Sequence, residues 1–279
     1  MHADGSPQFT TESIALVAAT NVFQTLPGST GARIVRASDG HFYAVKFSCN
    51  PYGPRILANE FLAWRLARLL GLPTPKIALI DVPPELGTPG VHFASRLFRC
   101  AAAAHDPNPR PEWGLVQNAN DLWGAFVFDL WTGNADARQF LFLRARGTRP
   151  YRLMLIDHGH CFGGPAWRIL NSLSIPNPPL LAYASISGWA DLEPWLLRLE
   201  SLAPERILHA RDGVPPDWLG AAGAADLDAL LAELIARCSA VRQQIAELIV
   251  ARAQPFVTWQ MCRDGGWRPS RWLKAAKVA

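Results

Sequence analysis

Residues 133–162 read GNADARQFLFLRARGTRPYRLMLIDHGHCF, and this stretch carries most of what the sequence says about the fold. Residues 140–143 and 152–156 have strand-type composition and are separated by a segment with a glycine, which predicts a β-hairpin. Asp136 precedes the first strand and Asp157 follows the second. Because an antiparallel pair returns the chain to its starting end, we expect the two carboxylates to converge at one end of the hairpin.

Two carboxylates at one place, with amide oxygens beside them, suit a hard divalent cation such as Mg²⁺. In such a site one carboxylate coordinates the cation and the other orients a hydroxyl for attack on phosphorus. The alternative interpretation places Asp136 in an Asx-type turn and leaves Asp157 as an exposed strand end. Either environment is ordinary for one aspartate, but the pair flanking a single hairpin favours the metal site.

A zinc site is a second interpretation of the same segment. Asp157, His158, His160 and Cys161 offer the carboxylate, imidazole and thiolate ligands that suit Zn²⁺. However, alternate residues of an extended segment point to opposite sides, and no second histidine cluster occurs nearby in the sequence. A metallohydrolase is therefore the weaker hypothesis, and we expect His158 to be a spacer and His160 to line a polar wall.

Upstream of the hairpin, Lys46 and Glu60 predict a buried ion pair. Lys46 lies in a predicted strand, where a lysine has to reach solvent or find a partner. Glu60 shares the more apolar stripe of a predicted helix over residues 56–70, so its carboxylate should point inward and needs a cation. The alternatives are a lysine pointing outward from an edge strand and a glutamate on the helix surface.

A small-residue loop lies just before the first predicted hairpin of the chain. It consists of Gly28, Ser29, Thr30 and Gly31, whose small size lets backbone N–H groups approach phosphate oxygens closely. The loop lacks the P-loop pattern and opens a strand rather than a helix. An ordinary turn is the alternative.

The order of elements predicts an α+β fold with a cleft between two unequal parts. A strand-rich first third carries one helix, and a mainly helical remainder carries the hairpin at 140–156; the apolar residues 14–22 fit either a strand or a short helix. The predicted divisions are a disordered N-terminus (1–8), a strand-rich N-lobe with one helix (9–99), a larger helical C-lobe with the hairpin (100–253) and a basic C-terminal segment (254–279).

The composition is that of a globular chain. Hydrophobic residues make up 49% of the 279 residues and charged residues 18%, which excludes a disordered or fibrous chain. The net charge of +4 is mild. Six basic residues against a single acid follow residue 251, so contact with nucleic acid or an acidic partner through this segment is one expectation, and a solvated end is the other.

Cysteine usage and the absence of targeting patterns predict a cytoplasmic protein. The five cysteines are widely spaced and form no CxxC pair, which is typical of a reducing compartment. No apolar run reaches the ~18–20 residues of a membrane span, and the first residues lack the layout of a signal peptide.

The order of these features resembles the protein-kinase-like fold. A glycine-containing loop, a strand lysine, a helix glutamate, an N-x-D segment and a strand ending in D-x-G follow one another along the chain. NEFLAWRLARLLGLPTPKIALI, followed by GNADARQ and LIDHGHCFG, resembles the short, single-domain branch of the HipA-like kinases. The resemblance runs from about residue 33 to residue 162 and implies an ATP- and Mg²⁺-dependent transfer of the γ-phosphoryl group to a hydroxyl, with a protein Ser/Thr as the expected acceptor.

The resemblance implies roles for the N-terminal residues in binding ATP. Lys46 would hold the α- and β-phosphates and Glu60 would orient Lys46. The loop Gly28–Gly31 would cover the phosphates, and Phe98, at the end of a predicted strand, would lie at the hinge beside adenine. An antitoxin-like partner is a further expectation from this family.

The resemblance implies that Asp136 is the catalytic aspartate and that Asp157 binds Mg²⁺. The family usually carries an asparagine five residues after the catalytic aspartate, where this chain has Leu141, so Gln139 is the amide expected to serve as the second metal ligand. Arg138 stands at a position where members of the family commonly have a histidine. These departures keep open an alternative function, a nucleotide-binding pseudokinase that acts through protein contacts.

Overall fold

The computed structural model describes residues 13–98, 115–143, 150–169, 186–220 and 223–251, together with the backbone of residues 101–103. Several expectations lie outside these residues. They are the disordered residues 1–8, most of the glycine-containing segment between the two strands of the hairpin, and the basic segment 254–279.

Five strands of the N-terminal part form a closed barrel in the order β1-β2-β3-β5-β4. The pairs are antiparallel except β1 and β4, which run parallel. The segment that fitted both a strand and a short helix is a strand, because it pairs with neighbours on both sides. The strands are β1 (Leu16–Thr25), β2 (Arg33–Ala37), β3 (Phe42–Lys46), β4 (Ile77–Val82) and β5 (Gly90–Arg96).

The predicted hairpin of β2 and β3 is confirmed, and its register decides where Lys46 lies. Arg33 pairs with Val45, so the loop at 28–31 lies at the same end of the hairpin as Lys46. Alternation sends Tyr43 and Val45 into the barrel and leaves Lys46 on the other face, which is half-buried.

Helix α1 (Arg55–Leu69) is buried far more completely than an amphipathic surface helix. Every residue from Ile56 to Trp64 is buried. These residues share one hydrophobic core with the C-terminal helices, whereas the inside of the barrel forms a second, smaller core. The helix ends as predicted, with Leu70 as its C-cap and Gly71 at a φ of 78°.

A three-stranded sheet in the order β6-β7-β8 follows the barrel. The strands are β6 (Ala101–Ala103), β7 (Gln139–Leu143) and β8 (Arg152–Ile156). The predicted hairpin of β7 and β8 is confirmed, with Gln139 opposite Ile156. The strand β6 was not predicted, because three alanines carry no alternation of apolar and polar residues.

Four further α-helices share the main hydrophobic core with residues of this sheet. They are α2 (Asp121–Thr132), α3 (Trp189–Glu200), α4 (Pro204–Leu208) and α5 (Gly223–Val250). The helix α2 packs against α3 and α5, and Trp131 donates its indole N–H to the carbonyl of Leu234 over 2.8 Å. The mixed α/β content and the strand-rich N-terminal region agree with the predicted class, whereas the two-lobed arrangement and the domain boundaries stay predictions. In the described part of the chain, no helix has both the length and the apolar character needed to cross a membrane.

Candidate functional site

Lys46, Glu60 and Asp157 form a partly buried cluster in which one ammonium bridges two carboxylates. Nζ of Lys46 bonds Oε1 of Glu60 and lies 2.5 Å from Oδ1 of Asp157. The strand β3, the helix α1 and the end of β8 each supply one of the three side chains. The predicted inward orientation of Glu60 is confirmed, since the residue is only 2% exposed.

The two carboxylates fix the charge of Lys46. Burial by itself would lower the pKa of Lys46, but the charges of Glu60 and Asp157 outweigh it and raise the pKa above its ordinary value. Burial raises the pKa of Glu60. Burial would also raise the pKa of Asp157, but the ammonium of Lys46 outweighs it and lowers that pKa. With both carboxylates ionised, the cluster carries one excess negative charge, which favours a cation beside Asp157.

Asp136 lies just before β7 and Asp157 just after β8, so the strand register places both at the same end of the hairpin, as predicted. Asp136 is exposed, and its Oδ1 accepts the N–H of Ala137 over 2.7 Å. The Asx turn at this place is formed by Asn134, whose Oδ1 accepts the N–H of Asp136 over 3.3 Å. The carboxylate of Asp136 is thus presented to solvent by a turn that a neighbouring side chain closes.

The segment that carries Asp136 is tied to the segment that follows Asp157. Gly133 ends α2 in the left-handed conformation, with φ 56° and ψ 48°, which suits glycine. Its carbonyl accepts the N–H of Gly163 over 3.1 Å, and the N–H of Ala135 donates to the carbonyl of His160 over 2.9 Å. These backbone bonds hold the two carboxylate-bearing segments side by side.

Arg138 and Asp129 form a buried ion pair beneath the site. Nη2 and Nε of Arg138 donate to the carboxylate of Asp129 on α2, and the Arg138 side chain is 1% exposed. Nη1 of Arg138 donates to the carbonyl of Ile156 over 3.2 Å and to Nδ1 of His158 over 2.8 Å. One guanidinium therefore links the Asp136 segment to the residues on either side of Asp157.

His158 is a buried structural residue and not the spacer that the sequence suggested. It packs edge-on against Phe128, with ring centroids 5.9 Å apart, and its backbone N–H donates to Oε2 of Glu60 over 3.0 Å. Burial and the charge of Arg138 lower the pKa of His158 well below its ordinary value. Because Nδ1 accepts from Arg138, the imidazole is neutral with its proton on Nε2.

The zinc interpretation finds no support in this geometry. Burial raises the pKa of Cys161 to about 12, and its Sγ is fully buried beneath the site, where it accepts from the hydroxyl of Thr132 over 3.6 Å. Nδ1 of His158 is occupied by Arg138, and the His160 ring packs edge-on against Tyr52. Among the described residues, no group of three or more His, Cys, Asp or Glu side chains could hold a metal ion.

Asp157 and Gln139 nevertheless fit a magnesium ion that is shared with a ligand. Gln139 begins β7 opposite Ile156, the neighbour of Asp157, and its buried Oε1 has no hydrogen-bond partner. A buried amide oxygen without a donor is costly unless something binds it. Mg²⁺ prefers oxygen ligands and is usually held by one or two protein groups together with waters and substrate phosphates, so a protein cluster of three acids is not required.

The loop at 28–31 and Phe98 are placed by the elements that they connect. The loop of Gly28, Ser29, Thr30 and Gly31 connects β1 to β2, and only Thr30 and Gly31 are partly buried. Phe98 follows β5 on the connection to β6, so it lies between the barrel and the second sheet. The structure therefore shows direct contacts of Lys46 with Glu60 and Asp157. For the loop and Phe98 it shows only which strands they connect.

The sequence analysis missed the buried polar residues that support the cluster. Asn59, next to Glu60, is fully buried and bonds the backbone after Asp157. Asp129 is the single acid in the apolar run LWGAFVFDLWT of α2, and such an isolated charge signals a buried partner.

Comparisons with solved structures identify the fold. The chain is similar to the proinflammatory kinase CtkA of Helicobacter pylori, with a TM-score of 0.56 and 15% identity over 84% of this chain and 99% of that one. It is also similar to the Golgi casein kinase with Mn/ADP bound, with a TM-score of 0.48 and 12% identity over 86% of this chain and 75% of that one. A third similar structure is HipA of Shewanella oneidensis MR-1, in a toxin–antitoxin complex with HipB and operator DNA, with a TM-score of 0.47 and 14% identity over 88% and 68% of the two chains.

The likeness to CtkA shows that the chain has a kinase fold. No curated protein gives a significant sequence match. The sequence model of the family described as HipA-like kinase matches residues 21–165, which is just over half of the chain and includes Lys46, Glu60, Asp136 and Asp157. The chain therefore belongs to the family of HipA-like kinases.

Proposed function

We propose that this protein transfers the γ-phosphoryl group of ATP to the hydroxyl of a protein serine or threonine. Lys46 holds the α- and β-phosphates, and Glu60 orients its ammonium. The loop at 28–31 covers the phosphates, because its small residues let the backbone approach them closely. Phe98 lies beside adenine at the connection between the two parts of the molecule.

The acidic residues at the hairpin end serve the transfer itself. Asp157 and Gln139 would hold Mg²⁺, and the ion would supply positive charge that offsets the charge of the phosphates. Asp136 accepts a hydrogen bond from the acceptor hydroxyl and aligns its oxygen with the γ-phosphorus. The bond from that oxygen to phosphorus forms while the bond from phosphorus to the bridging oxygen of ADP breaks, and the hydroxyl proton leaves towards Asp136. The protein thus contributes positioning and electrostatic stabilisation.

The observation that carries this proposal is the contact of Lys46 with both Glu60 and Asp157. The contact joins three separate elements of the fold, and it places a partly buried ammonium beside a carboxylate with excess negative charge. An ammonium for phosphates and a carboxylate for a cation are the two groups that a magnesium-bound triphosphate requires.

A second candidate is a nucleotide-binding pseudokinase, and the position of Leu141 favours it. Leu141 takes the place of the family's usual asparagine and pairs with Met154. An apolar side chain there offers no metal ligand, so the second protein ligand, beside Asp157, has to be Gln139. In this alternative the protein binds the nucleotide and acts through a contact with another protein.

Two measurements on the full chain test the proposal. The first compares thermal unfolding in Mg-ATP, in Mg²⁺ alone and in ATP with EDTA; binding at a hundred times the dissociation constant stabilises by about 2.7 kcal/mol. Stabilisation by Mg-ATP beyond the other two conditions supports the site, and its absence overturns both candidates. The second incubates the protein with γ-labelled ATP and Mg²⁺. Transfer of label to protein that Asp136→Ala prevents supports the kinase, whereas binding without any turnover supports the pseudokinase.

The location and the partners stay proposals as well. Cys49, Cys161 and Cys238 are free thiols, which supports a reducing compartment such as the cytoplasm. We propose a protein substrate and an antitoxin-like partner on the basis of the family. Contact with nucleic acid through residues 254–279 rests on their charge alone, since they lie outside the described residues.

A further inference from the structure

Asp157 adopts a backbone conformation that needs support from its surroundings. Its φ is 58°, in the left-handed region that side-chain-bearing residues rarely adopt. Strained residues of this kind persist only where neighbouring groups hold them. Groups that contact the residues after Asp157 therefore have to keep its carboxylate beside Lys46.

Asn59 makes three hydrogen bonds to the segment that follows Asp157. Its Nδ2 donates to the carbonyls of Gly159 over 2.7 Å and Cys161 over 3.1 Å. Its Oδ1 accepts the indole N–H of Trp167 over 2.6 Å. The residue is fully buried, and each partner lies at least 100 residues away in the sequence.

The surroundings of Asn59 permit only one orientation of its amide. Two of its partners are carbonyl oxygens, which can only accept, and the third is an indole N–H, which can only donate. With the amide turned round, its oxygen would face two carbonyls and its NH₂ group would face the indole donor. The three bonds thus fix the amide, and the amide fixes the backbone of Gly159 and Cys161.

Glu60 completes the support from the same turn of α1. Its Oε1 bonds Lys46, while its Oε2 accepts the N–H of His158 over 3.0 Å. There is also little room for movement, because a methyl group on Gly159 would lie 2.9 Å from Cγ2 of Ile56 and 3.2 Å from Oε1 of Glu60. Asn59 and Glu60 together therefore hold residues 158–161 against α1.

We infer that Asn59 is a positioning residue for the metal-binding carboxylate of Asp157. Through the carbonyls of Gly159 and Cys161 it keeps Asp157 in the left-handed conformation that directs its carboxylate to Lys46. The inference rests on the proposed function, because it assigns Asn59 a role in the affinity for Mg-ATP. It predicts that loss of Asn59 weakens the contribution of the metal to nucleotide binding more than the binding of the nucleotide itself.

Asn50 provides a matched control for a purely structural role. It is also buried and makes three hydrogen bonds, donating to the carbonyls of Phe47 and Gly53 and accepting the N–H of Tyr52. All of these bonds lie within one local turn before α1. Replacing Asn50 therefore removes the same number of bonds without touching the segment after Asp157.

The test is calorimetric titration of the full chain with Mg-ATP and with ATP in EDTA, for the wild type, Asn59→Leu and Asn50→Leu. Leucine has a similar shape and adds no charge. The dissociation constant for ATP in EDTA, divided by the dissociation constant for Mg-ATP, is a ratio that measures the contribution of the metal. We expect Asn59→Leu to reduce this ratio about 10- to 100-fold, in the range found when supporting residues of metal ligands are lost. Asn50→Leu should leave the ratio unchanged while lowering the thermal stability to a similar extent.

A folded Asn59→Leu variant with the wild-type ratio would overturn the inference. If that variant does not fold, Trp167→Phe decides, because it removes the indole donor that fixes the amide and keeps an aromatic ring at this position. We expect it to lower the ratio about 2- to 10-fold, the effect of one hydrogen bond, and an unchanged ratio would overturn the inference. A wild-type protein that binds ATP equally with and without Mg²⁺ would overturn the assignment of Asn59 to metal binding. A wild-type protein that binds no nucleotide would overturn the proposed function, and the inference with it.

Discussion

Nζ of Lys46 lies 2.5 Å from Oδ1 of Asp157, although 111 residues separate the two in the sequence. The contact joins the last residue of β3 in the barrel to the residue directly after β8 in the second sheet. The ammonium also bonds Glu60 on α1, so three separate segments meet at a single nitrogen. A change at this nitrogen should therefore affect both stability and nucleotide binding.

Lys46→Met should destabilise the protein by about 3–5 kcal/mol, because it leaves two carboxylates without their buried cation. Chemical denaturation near neutral pH measures the loss. Lys76→Met is the matched control, since Lys76 is exposed and is the other lysine of the described residues. Equal stability of the two variants would show that the cluster does not depend on the ammonium.

Asp136→Ala and Asp157→Ala should separate binding from turnover. Asp136 is exposed and lies outside the Lys46 cluster, so its loss should leave the affinity for Mg-ATP unchanged and lower the rate about 10²- to 10⁴-fold. Asp157→Ala should abolish turnover and weaken the binding of Mg-ATP. Calorimetry with Mg-ATP and transfer from labelled ATP measure the two effects. A wild-type rate in Asp136→Ala would remove this residue from the mechanism.

Gln139→Leu should raise the Mg²⁺ concentration required for nucleotide binding about tenfold, because it removes an oxygen that has no other partner. Gln139→Glu keeps an oxygen at this position and should preserve the affinity for the cation. Titration of Mg²⁺ at fixed ATP compares the variants. If Gln139→Leu and the wild type require the same Mg²⁺ concentration, Gln139 is not a ligand of Mg²⁺ and only Asp157 keeps that role.

Arg138→Met should destabilise the protein by about 3–5 kcal/mol, because the carboxylate of Asp129 stays buried without its cation. The double variant Arg138→Met/Asp129→Leu removes both charges and should recover part of this loss. A double-mutant cycle by denaturation gives the coupling between the two residues. Additive effects would contradict a buried pair.

His92 should make the stability depend on pH below the ordinary histidine pKa. Burial lowers the pKa of His92, and both ring nitrogens are bonded, Nδ1 to the N–H of Ser48 and Nε2 to the carbonyl of Thr88. The unfolded chain therefore binds the proton more readily, and the free energy of unfolding should fall by about 1.4 kcal/mol per unit as the pH drops below about 6.5. Stability curves of the wild type and His92→Gln measure the contribution, and the variant should show the smaller slope. Identical slopes would contradict a neutral, buried His92.

The elements of the fold and the acidic pair could be predicted because their signals are local. The hairpin around Asp136 and Asp157 follows from strand composition. The orientation of Glu60 followed from its apolar stripe. Its pairing with Lys46 followed from the position of that lysine in a strand, where it has to reach solvent or find a partner.

The support beneath the site could not be predicted, because it depends on contacts between distant segments. Every residue around Asn59 on α1 is buried, so no stripe distinguishes its environment from that of Glu60. His158 was taken for a spacer because alternation alone does not show that Arg138 and Phe128 enclose it. The closure of the barrel was equally hidden, since the pairing of β1 with β4 joins residues about 60 positions apart.

The closed barrel also determines how this part of the chain can meet other molecules. Each of its five strands has a hydrogen-bonded neighbour on both sides, although β1 pairs with β4 only over residues 16–18. The stretches that are paired on both sides offer no template to a partner that binds by adding a strand, and self-association of these stretches through stacked strands is disfavoured for the same reason. Along these stretches, recognition therefore depends on side chains.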